Sequence, residues 1–297
     1  MKIFLDSVDF NSRSGPNSFG LKLANQLTKD GHRVNLDESP DIQLSFILAS
    51  QNKAPIVQRL DGIYFNSDQD WERLNVPIRE THKKAAGVIY QSDFNKLLTE
   101  KYFGKKEFST VIRNGTDLEA IYNIPSGESE VFNKYDKVWT CASSWRPHKR
   151  LSENIRYFLE NASEEDCLIV AGENPDCDLN YDRVFYAGNL DWPTLISLYK
   201  RSSYFLHLAF LDHCPNVVVD AVASGCKVIC ASSGGTKEIA GPGAVIIEDL
   251  EWDFRPLKLY SPPELNFDNF RENDKNSSID IKKVSQDYYN FFSKVLR

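Results

Sequence analysis

Residues 211–238, LDHCPNVVVDAVASGCKVICASSGGTKE, decide the fold of this chain. Two carboxylates, Asp212 and Asp220, lie eight residues apart, the first on a loop and the second inside a predicted helix. Pro215 stands where that helix can begin, and Gly225 stands where it can end. The free N–H groups of the first helical turn then point between the two acids. A ligand that carries both hydroxyls and a phosphate would satisfy all these groups, which indicates a sugar nucleotide.

Outside this stretch, short apolar strands alternate with helical patterns in both halves of the chain. This alternation predicts parallel βαβ construction. Because 297 residues exceed the usual size of a single core, we predict two Rossmann-like α/β domains that face each other across a cleft. We place the first domain at residues 1–125, the second at residues 126–280, and a terminal helix with an apolar stripe at residues 281–297.

Composition and net charge argue against nucleic-acid binding, a membrane span and secretion. The net charge of −7 opposes nonspecific binding to nucleic acid, so an anionic ligand needs a local basic cluster. The longest apolar runs are strand-length, well short of the roughly 20 residues that cross a bilayer. The first residues, MKIFLDSVDF, place an acid at position six, where a secretory signal would be apolar. The six cysteines form no CxxC pair, so we predict reduced thiols, no structural zinc and a cytoplasmic location.

A basic cluster occurs in residues 143–150, SSWRPHKR, after a predicted strand and at a predicted helix start. In α/β folds a phosphate-binding loop lies at this position. Positive charge at a helix N-terminus opposes the helix dipole, so the cluster is unfavourable unless an anion is bound. The alternative is a solvated basic helix start without a ligand.

The acidic stretch resembles the nucleotide-sugar site of the GT-B glycosyltransferases of family four, the glycosyl transferases group 1. The family signature is Glu, seven residues, then Glu-Ala-x-Ala-x-Gly-x-Pro-Val. This chain has Asp212, seven residues, then Asp220-Ala221-Val222-Ala223-Ser224-Gly225-Cys226-Lys227-Val228. Asp replaces both Glu residues, which withdraws each carboxylate by about 1.5 Å, and Lys227 replaces the Pro. These departures bear on the identity of the donor rather than on the fold.

Weaker matches extend the resemblance over nearly the whole chain. Residues 114–117, NGTD, resemble the family's Asn-Gly-x-Asp at the domain junction, and Gly15 lies in a segment that resembles the family's glycine loop. Residues 59–62, RLDG, end a predicted strand that points at the cleft. Some members carry Arg-x-Asp-Gly here and others a His, so the resemblance implies that Asp61 contacts the acceptor hydroxyl. The family's terminal helix crosses back onto the first domain, and we expect this here.

The resemblance also implies a role for each site residue. Asp220 would bind the ribose hydroxyls and Asp212 a hydroxyl of the donor sugar. Lys149 takes the family's Lys position, whereas Ser144 takes its Arg position, so Arg146 is the predicted substitute for that arginine. His213 either hydrogen-bonds the donor sugar or is a structural loop histidine. The residues predicted to bind the donor are Gly15, Ser144, Asn189, His213, Cys214, Pro215, Asn216, Val217 and Asp220, and those predicted to act in catalysis are Asp61, Arg146, Lys149 and Asp212.

The implied activity is retaining transfer of a hexose or related sugar from a nucleoside diphosphate sugar to a hydroxyl of a glycan or other acceptor. We expect no cofactor beyond the donor substrate and no metal. The strings Asp68-Gln69-Asp70 and Asp176-Cys177-Asp178 resemble a metal-binding Asp-x-Asp, but neither follows a convincing strand. A sugar-nucleotide epimerase and a non-catalytic nucleotide-sugar or glycan-binding protein are the alternatives. Contact with a membrane surface, through the basic residues Lys101, Lys105 and Lys106, is also left open.

Overall fold

The computed structural model describes residues 1–12, 14–36, 38–130, 132–175 and 181–297. These residues form two α/β domains, each built on its own sheet. The first sheet is parallel throughout, and the second is parallel except for one antiparallel edge strand. The predicted fold class, two Rossmann-like domains, is confirmed.

The first domain has a six-stranded sheet in the order β2-β1-β3-β4-β5-β6. Hydrophobic side chains from these strands pack against helices in a core that includes Leu5, Phe19 and Leu44. The elements are β1 Lys2–Asp6, α1 Gly15–Lys29, β2 Arg33–Val34, β3 Ile42–Phe46, β4 Ile56–Leu60, α2 Trp71–Lys84, β5 Gly87–Tyr90, α3 Asp93–Phe103 and β6 Ser109–Val111.

The second domain has a seven-stranded sheet in the order β13-β12-β11-β10-β7-β8-β9. A short helix, α4, lies between the two sheets in the chain. The elements are α4 Leu118–Asn123, β7 Val138–Ala142, α5 Leu151–Asn161, β8 Cys167–Ala171, β9 Val184–Gly188, α6 Trp192–Arg201, β10 Tyr204–His207, α7 Asn216–Ala223, β11 Lys227–Ala231, β12 Val245–Ile247 and β13 Phe270–Glu272. Among the described helices, none combines the length and apolar character that a membrane span requires.

The last helix, α8 (Ile281–Val295), packs on the first domain. Its apolar face puts Val284, Tyr288 and Phe292 into the same core as Phe19 of α1. The Asp280 side chain caps the helix by accepting a hydrogen bond from the Lys282 N–H at 2.9 Å. The end of the chain therefore closes the first domain, although the sequence that precedes it builds the second.

Residues 253–278 contribute to the second domain, although most of them are polar. Leu265 and Phe267 are buried in the core of the second domain, and Phe270–Glu272 forms the antiparallel edge strand β13 beside β12. The sequence signal was weak because the apolar residues Leu265, Phe267 and Phe270 are too few and too unevenly spaced to show a helical or strand period.

The basic segment leads directly into a helix, as the sequence predicts. It contains one 3-10 turn, Pro147–Lys149, and helix α5 begins at Leu151. Arg150 adopts a left-handed conformation with φ of 54°, and its buried guanidinium pairs with Asp249 at 2.8 Å. Arg150 is therefore a structural residue and offers no charge to a ligand.

Candidate active site

A cavity of about 210 Å³ lies between the two domains. Several of its residues follow the carboxyl ends of parallel strands, where α/β sheets bind ligands: Asp61 follows β4, Gln91 follows β5, and Asp212 lies beyond β10. The lining residues are Gly15, Pro16, Arg59, Asp61, Gln91 and Asn114 from the first domain, and Lys149, Asp212, His213, Cys214, Pro215 and Asn216 from the second.

The loop that carries Asp212 is held by the Gly-Gly turn after β11. The Gly235 N–H donates to the Asp212 carbonyl at 2.7 Å. A Cβ on Gly235 would lie 2.0 Å from the His213 carbonyl oxygen, and one on Gly234, whose φ is +81°, would lie 2.4 Å from that of Asp212. Only glycine permits so close an approach. This turn therefore serves to position the acid-bearing loop.

The Asp212 carboxylate has charged partners within its own domain. It accepts hydrogen bonds from Lys149 Nζ at 2.5 Å and from His207 Nε2 at 2.9 Å. Burial acts to raise the pKa of Asp212, but the positive charge of Lys149 and the His207 hydrogen bond outweigh it and hold that pKa well below its usual value. Asp212 is therefore a permanent anion at the cavity wall.

His213 lies beside this carboxylate in apolar surroundings. Its ring contacts Phe94 and Phe65, with centroids 5.4 Å and 6.3 Å away. Burial lowers the pKa of His213 to about 4, so the imidazole is neutral at pH 7. Nδ1 is buried and has no hydrogen-bond partner among the described residues. Gly62 is constrained by this ring, because a Cβ there would lie 2.5 Å from Nε2.

Asp61 is held by an ion pair with the buried Arg59. The Arg59 guanidinium also donates to the Tyr288 hydroxyl at 3.1 Å and to Asn114 Oδ1 at 2.7 Å. In turn, Asn114 Nδ2 donates to the Cys214 carbonyl at 3.0 Å. One hydrogen-bonded chain thus runs from the terminal helix, past Asp61, to the loop of the second domain.

The start of α7 closes the cavity from the other side. Asn216 Nδ2 donates to the Gly15 carbonyl at 2.8 Å, which joins this helix to the glycine loop of the first domain. Burial raises the pKa of the Cys214 thiol to about 12, so it is a neutral thiol and not a nucleophile. Pro215 occupies the N-cap position, as the sequence predicts for a helix start.

Asp220 lies inside α7, away from the cavity surface, and its side chain is only 5% exposed. Lys22 Nζ of α1 lies 2.8 Å from Oδ1 and 3.1 Å from Oδ2. The Trp192 indole N–H donates to Oδ2 at 3.0 Å. Both carboxylate oxygens of Asp220, the residue predicted to bind the ribose, therefore accept hydrogen bonds. Their donors are Lys22 of the first domain and Trp192 of the second.

Four other predicted site residues do not line the cavity. Ser144 is exposed and donates to Glu173 at 3.3 Å. Arg146 is exposed and has no ion-pair partner among the residues that the structure describes, and Asn189 is exposed just beyond β9. Val217 packs against the core around α7.

Of the two Asp-x-Asp strings, Asp68-Gln69-Asp70 lies within the described residues. Asp70 caps α2 by accepting from the Arg73 N–H at 3.2 Å, and Asp68 is exposed nearby. The string Asp176-Cys177-Asp178 lies outside the described residues. In the described ranges no three His, Cys, Asp or Glu side chains come together as metal ligands.

Sequence reasoning missed several residues that complete the site. Lys22 stands seven residues after Gly15, a spacing that places both on one face of α1. This spacing is the sequence feature that could have identified Lys22 as a site residue. His207 ends strand β10 and gave no local signal. Glu238 was also missed: it accepts from the N–H groups of Asp93 and Phe94, at 2.9 and 3.0 Å, at the start of α3.

Comparison with known proteins agrees with this geometry. Residues 128–253 match the family model described as Glycosyl transferases group 1. The match covers 126 of the 297 residues of the chain. The matched residues include the basic segment, Asp212, Asp220 and the Gly-Gly turn. No curated protein sequence matches this chain.

Solved structures share the two-domain fold over nearly the whole length. HepE of Anabaena in complex with UDP-glucose is similar over 99% of this chain and 100% of its own, with 15% identity and a TM-score of 0.69. The catalytic domain of starch synthase IV from Arabidopsis thaliana, bound to ADP and acarbose, covers 99% of each chain at 9% identity and a TM-score of 0.65. Sucrose-phosphate synthase from Thermosynechococcus elongatus covers 84% of this chain and 86% of its own, at 13% identity and a TM-score of 0.65. At these identities the likeness shows the fold alone.

Proposed function

We propose that this protein is a retaining glycosyltransferase that moves a hexose or related sugar from a nucleoside diphosphate sugar to a hydroxyl of a glycan or other acceptor. One observation carries the proposal: the Lys149–Asp212 pair and Asp61 line one interdomain cavity, from opposite domains. The group 1 domain at residues 128–253 supports it independently.

In this proposal Lys149 holds the diphosphate. An ammonium has three N–H donors, and the Asp212 hydrogen bond uses one, which leaves two for phosphate oxygens. Lys149 would stabilise the negative charge that develops on the leaving diphosphate, and Arg146, an exposed residue three positions earlier in the chain, would add a second positive charge. The leaving diphosphate can itself accept the acceptor proton, so no nucleophilic carboxylate is required.

The two faces of the cavity receive different substrates in this proposal. Asp212 would accept a hydrogen bond from a donor-sugar hydroxyl, and the start of α7 would lie against the sugar or phosphate. Asp61, fixed by Arg59, would contact the acceptor hydroxyl. A neutral His213 can donate or accept one hydrogen bond to the sugar through its nitrogens.

The test is incubation of the protein with UDP-, ADP- and GDP-sugars, with and without a panel of glycan acceptors, while nucleotide release is measured. Acceptor-dependent release with retention at the anomeric carbon is expected, and excess EDTA should not abolish it. Conversion of the donor into an epimeric sugar nucleotide without acceptor would indicate an epimerase, and binding with neither release nor conversion would indicate a non-catalytic binding protein. Complete loss of activity in EDTA that manganese restores would contradict metal independence.

A further inference from the structure

The Lys22–Asp220 pair lies between the first-domain helix α1 and the second-domain helix α7. Its side chains are only 14% and 5% exposed, so water screens the pair weakly. Lys22 Nζ also donates to Thr116 Oγ1 at 3.1 Å and lies 5.3 Å from the centroid of the Trp192 ring. The ammonium therefore has a fixed place and partners besides the carboxylate.

We propose that Lys22 competes with the ribose of the donor for the Asp220 carboxylate, so that this interdomain pair must open before a nucleotide binds. The proposal rests on the proposed function, since it takes Asp220 as the ribose ligand. A ribose diol uses both carboxylate oxygens as acceptors. Here Lys22 contacts both oxygens, and Trp192 contacts one of them.

The size of the cavity supports this competition. It measures about 210 Å³, whereas sites for small molecules usually enclose about 300–1,000 Å³. The Asn216–Gly15 and Asn114–Cys214 hydrogen bonds join the same two domains beside the cavity. In this proposal a nucleoside diphosphate sugar would need the domains to separate, and Lys22 would hold them together at the carboxylate that the ribose requires.

Competition between Lys22 and the ribose lowers the apparent affinity of the protein for its donor. If only a fraction of molecules has an available Asp220, the apparent dissociation constant rises by the inverse of that fraction. Removal of the ammonium leaves a buried carboxylate without its cationic partner, which a pair of ribose hydroxyls can satisfy. Loss of Lys22 should therefore strengthen nucleotide binding, whereas loss of a cation that contacts phosphate would weaken it.

The experiment compares wild type with Lys22→Met by titration calorimetry, using whichever of UDP, ADP and GDP binds the wild type or the variant most tightly. Lys22→Gln serves as a second variant in case the methionine form does not fold. Lys29→Met is the matched control, because Lys29 lies on the same helix and its exposed pair with Asp117 does not involve Asp220. The 2′,3′-dideoxy form of the same nucleotide is the matched ligand.

Lys22→Met should bind the nucleoside diphosphate about tenfold more tightly than wild type, with no gain for the dideoxy form and none in Lys29→Met. Unchanged or weaker binding would overturn the competition while leaving the proposed function intact. A gain of equal size for the dideoxy form would also overturn it, because the ribose hydroxyls would then not be what Lys22 excludes. Absence of binding in every variant would overturn both proposals.

Discussion

Asp212 and Asp220 stand eight residues apart in the chain but lie in different surroundings. Asp212 lines the cavity, and its side-chain partners, Lys149 and His207, belong to its own domain. Asp220 is buried, does not line the cavity, and is bound by Lys22 from the other domain and by Trp192 from its own. A site that depends on contacts within one domain keeps its geometry when the domains move. A site that depends on contacts between domains changes with that movement.

The difference in surroundings predicts that Asp212 affects sugar transfer and that Asp220 affects nucleotide binding. In the proposed function Asp212 would be preorganised for a charge that develops during transfer, whereas Asp220 would act on the part of the donor that does not react. Four predictions test this difference.

The largest expected effect is on the turnover of Asp212→Asn. Loss of one preorganised charge at the reacting sugar predicts a fall in rate of about 10- to 1,000-fold, with nucleotide affinity nearly unchanged because the ribose and base are bound elsewhere. Initial rates and calorimetry on the same preparation measure both quantities. Wild-type turnover, in a variant whose thermal stability is also that of wild type, would remove Asp212 from the chemistry.

Next in size is the loss of nucleotide binding in Lys149→Ala. A charge-assisted hydrogen bond contributes about 1.5–3 kcal/mol, so affinity should fall by that amount. Arg146→Ala, in the same segment, should lose less affinity, because the Arg146 side chain is exposed and exposed charges contribute about 0–1 kcal/mol. Equal losses in the two variants would show that Lys149 has no privileged position.

A smaller effect concerns stability in acid, because histidines lie beside Asp212. Burial lowers the pKa of His148 to about 3 and that of His213 to about 4, below the ordinary value of 6.5. At a pH between the folded pKa of each histidine and its ordinary value of 6.5, the unfolded chain binds protons that the folded chain does not. The free energy of unfolding is therefore unaffected by these histidines above pH 6.5. It falls as the pH falls towards 4, by up to about 1.4 kcal/mol per pH unit for each histidine.

Urea unfolding from pH 7 to pH 5 measures this dependence. His148→Gln should show a shallower fall in the free energy of unfolding than wild type, and Lys29→Met should show the wild-type slope, since the exposed Lys29–Asp117 pair contains no histidine. A His148→Gln curve parallel to that of wild type would contradict the assignment.

The parts that the sequence predicted are those with local signals. Alternating strands and helices, and the acid spacing around α7, are visible because period and turn residues act over a few positions. Asp212 and Lys149 were placed at one site by resemblance, and the structure brings them within hydrogen-bonding distance. The roles of these residues remain predictions.

The parts that the sequence did not predict depend on contacts far apart in the chain. Lys22 and Asp220 are separated by 198 positions, and nothing local marks either as the partner of the other. Arg150 looks like its basic neighbours, yet a left-handed backbone turns it inward to Asp249. Such outcomes follow from the packing of elements, which a pattern in one segment does not specify.

The most direct test of the division between the carboxylates is the preference for ribose over dideoxyribose. Dissociation constants for a nucleoside diphosphate and its 2′,3′-dideoxy form are measured on wild type, Asp212→Asn and Asp220→Asn. Wild type and Asp212→Asn should prefer the ribose form by about tenfold or more, the value of one charge-assisted hydrogen bond, and Asp220→Asn should bind both forms alike. A preference that persists in Asp220→Asn, or that disappears in Asp212→Asn, would contradict the account.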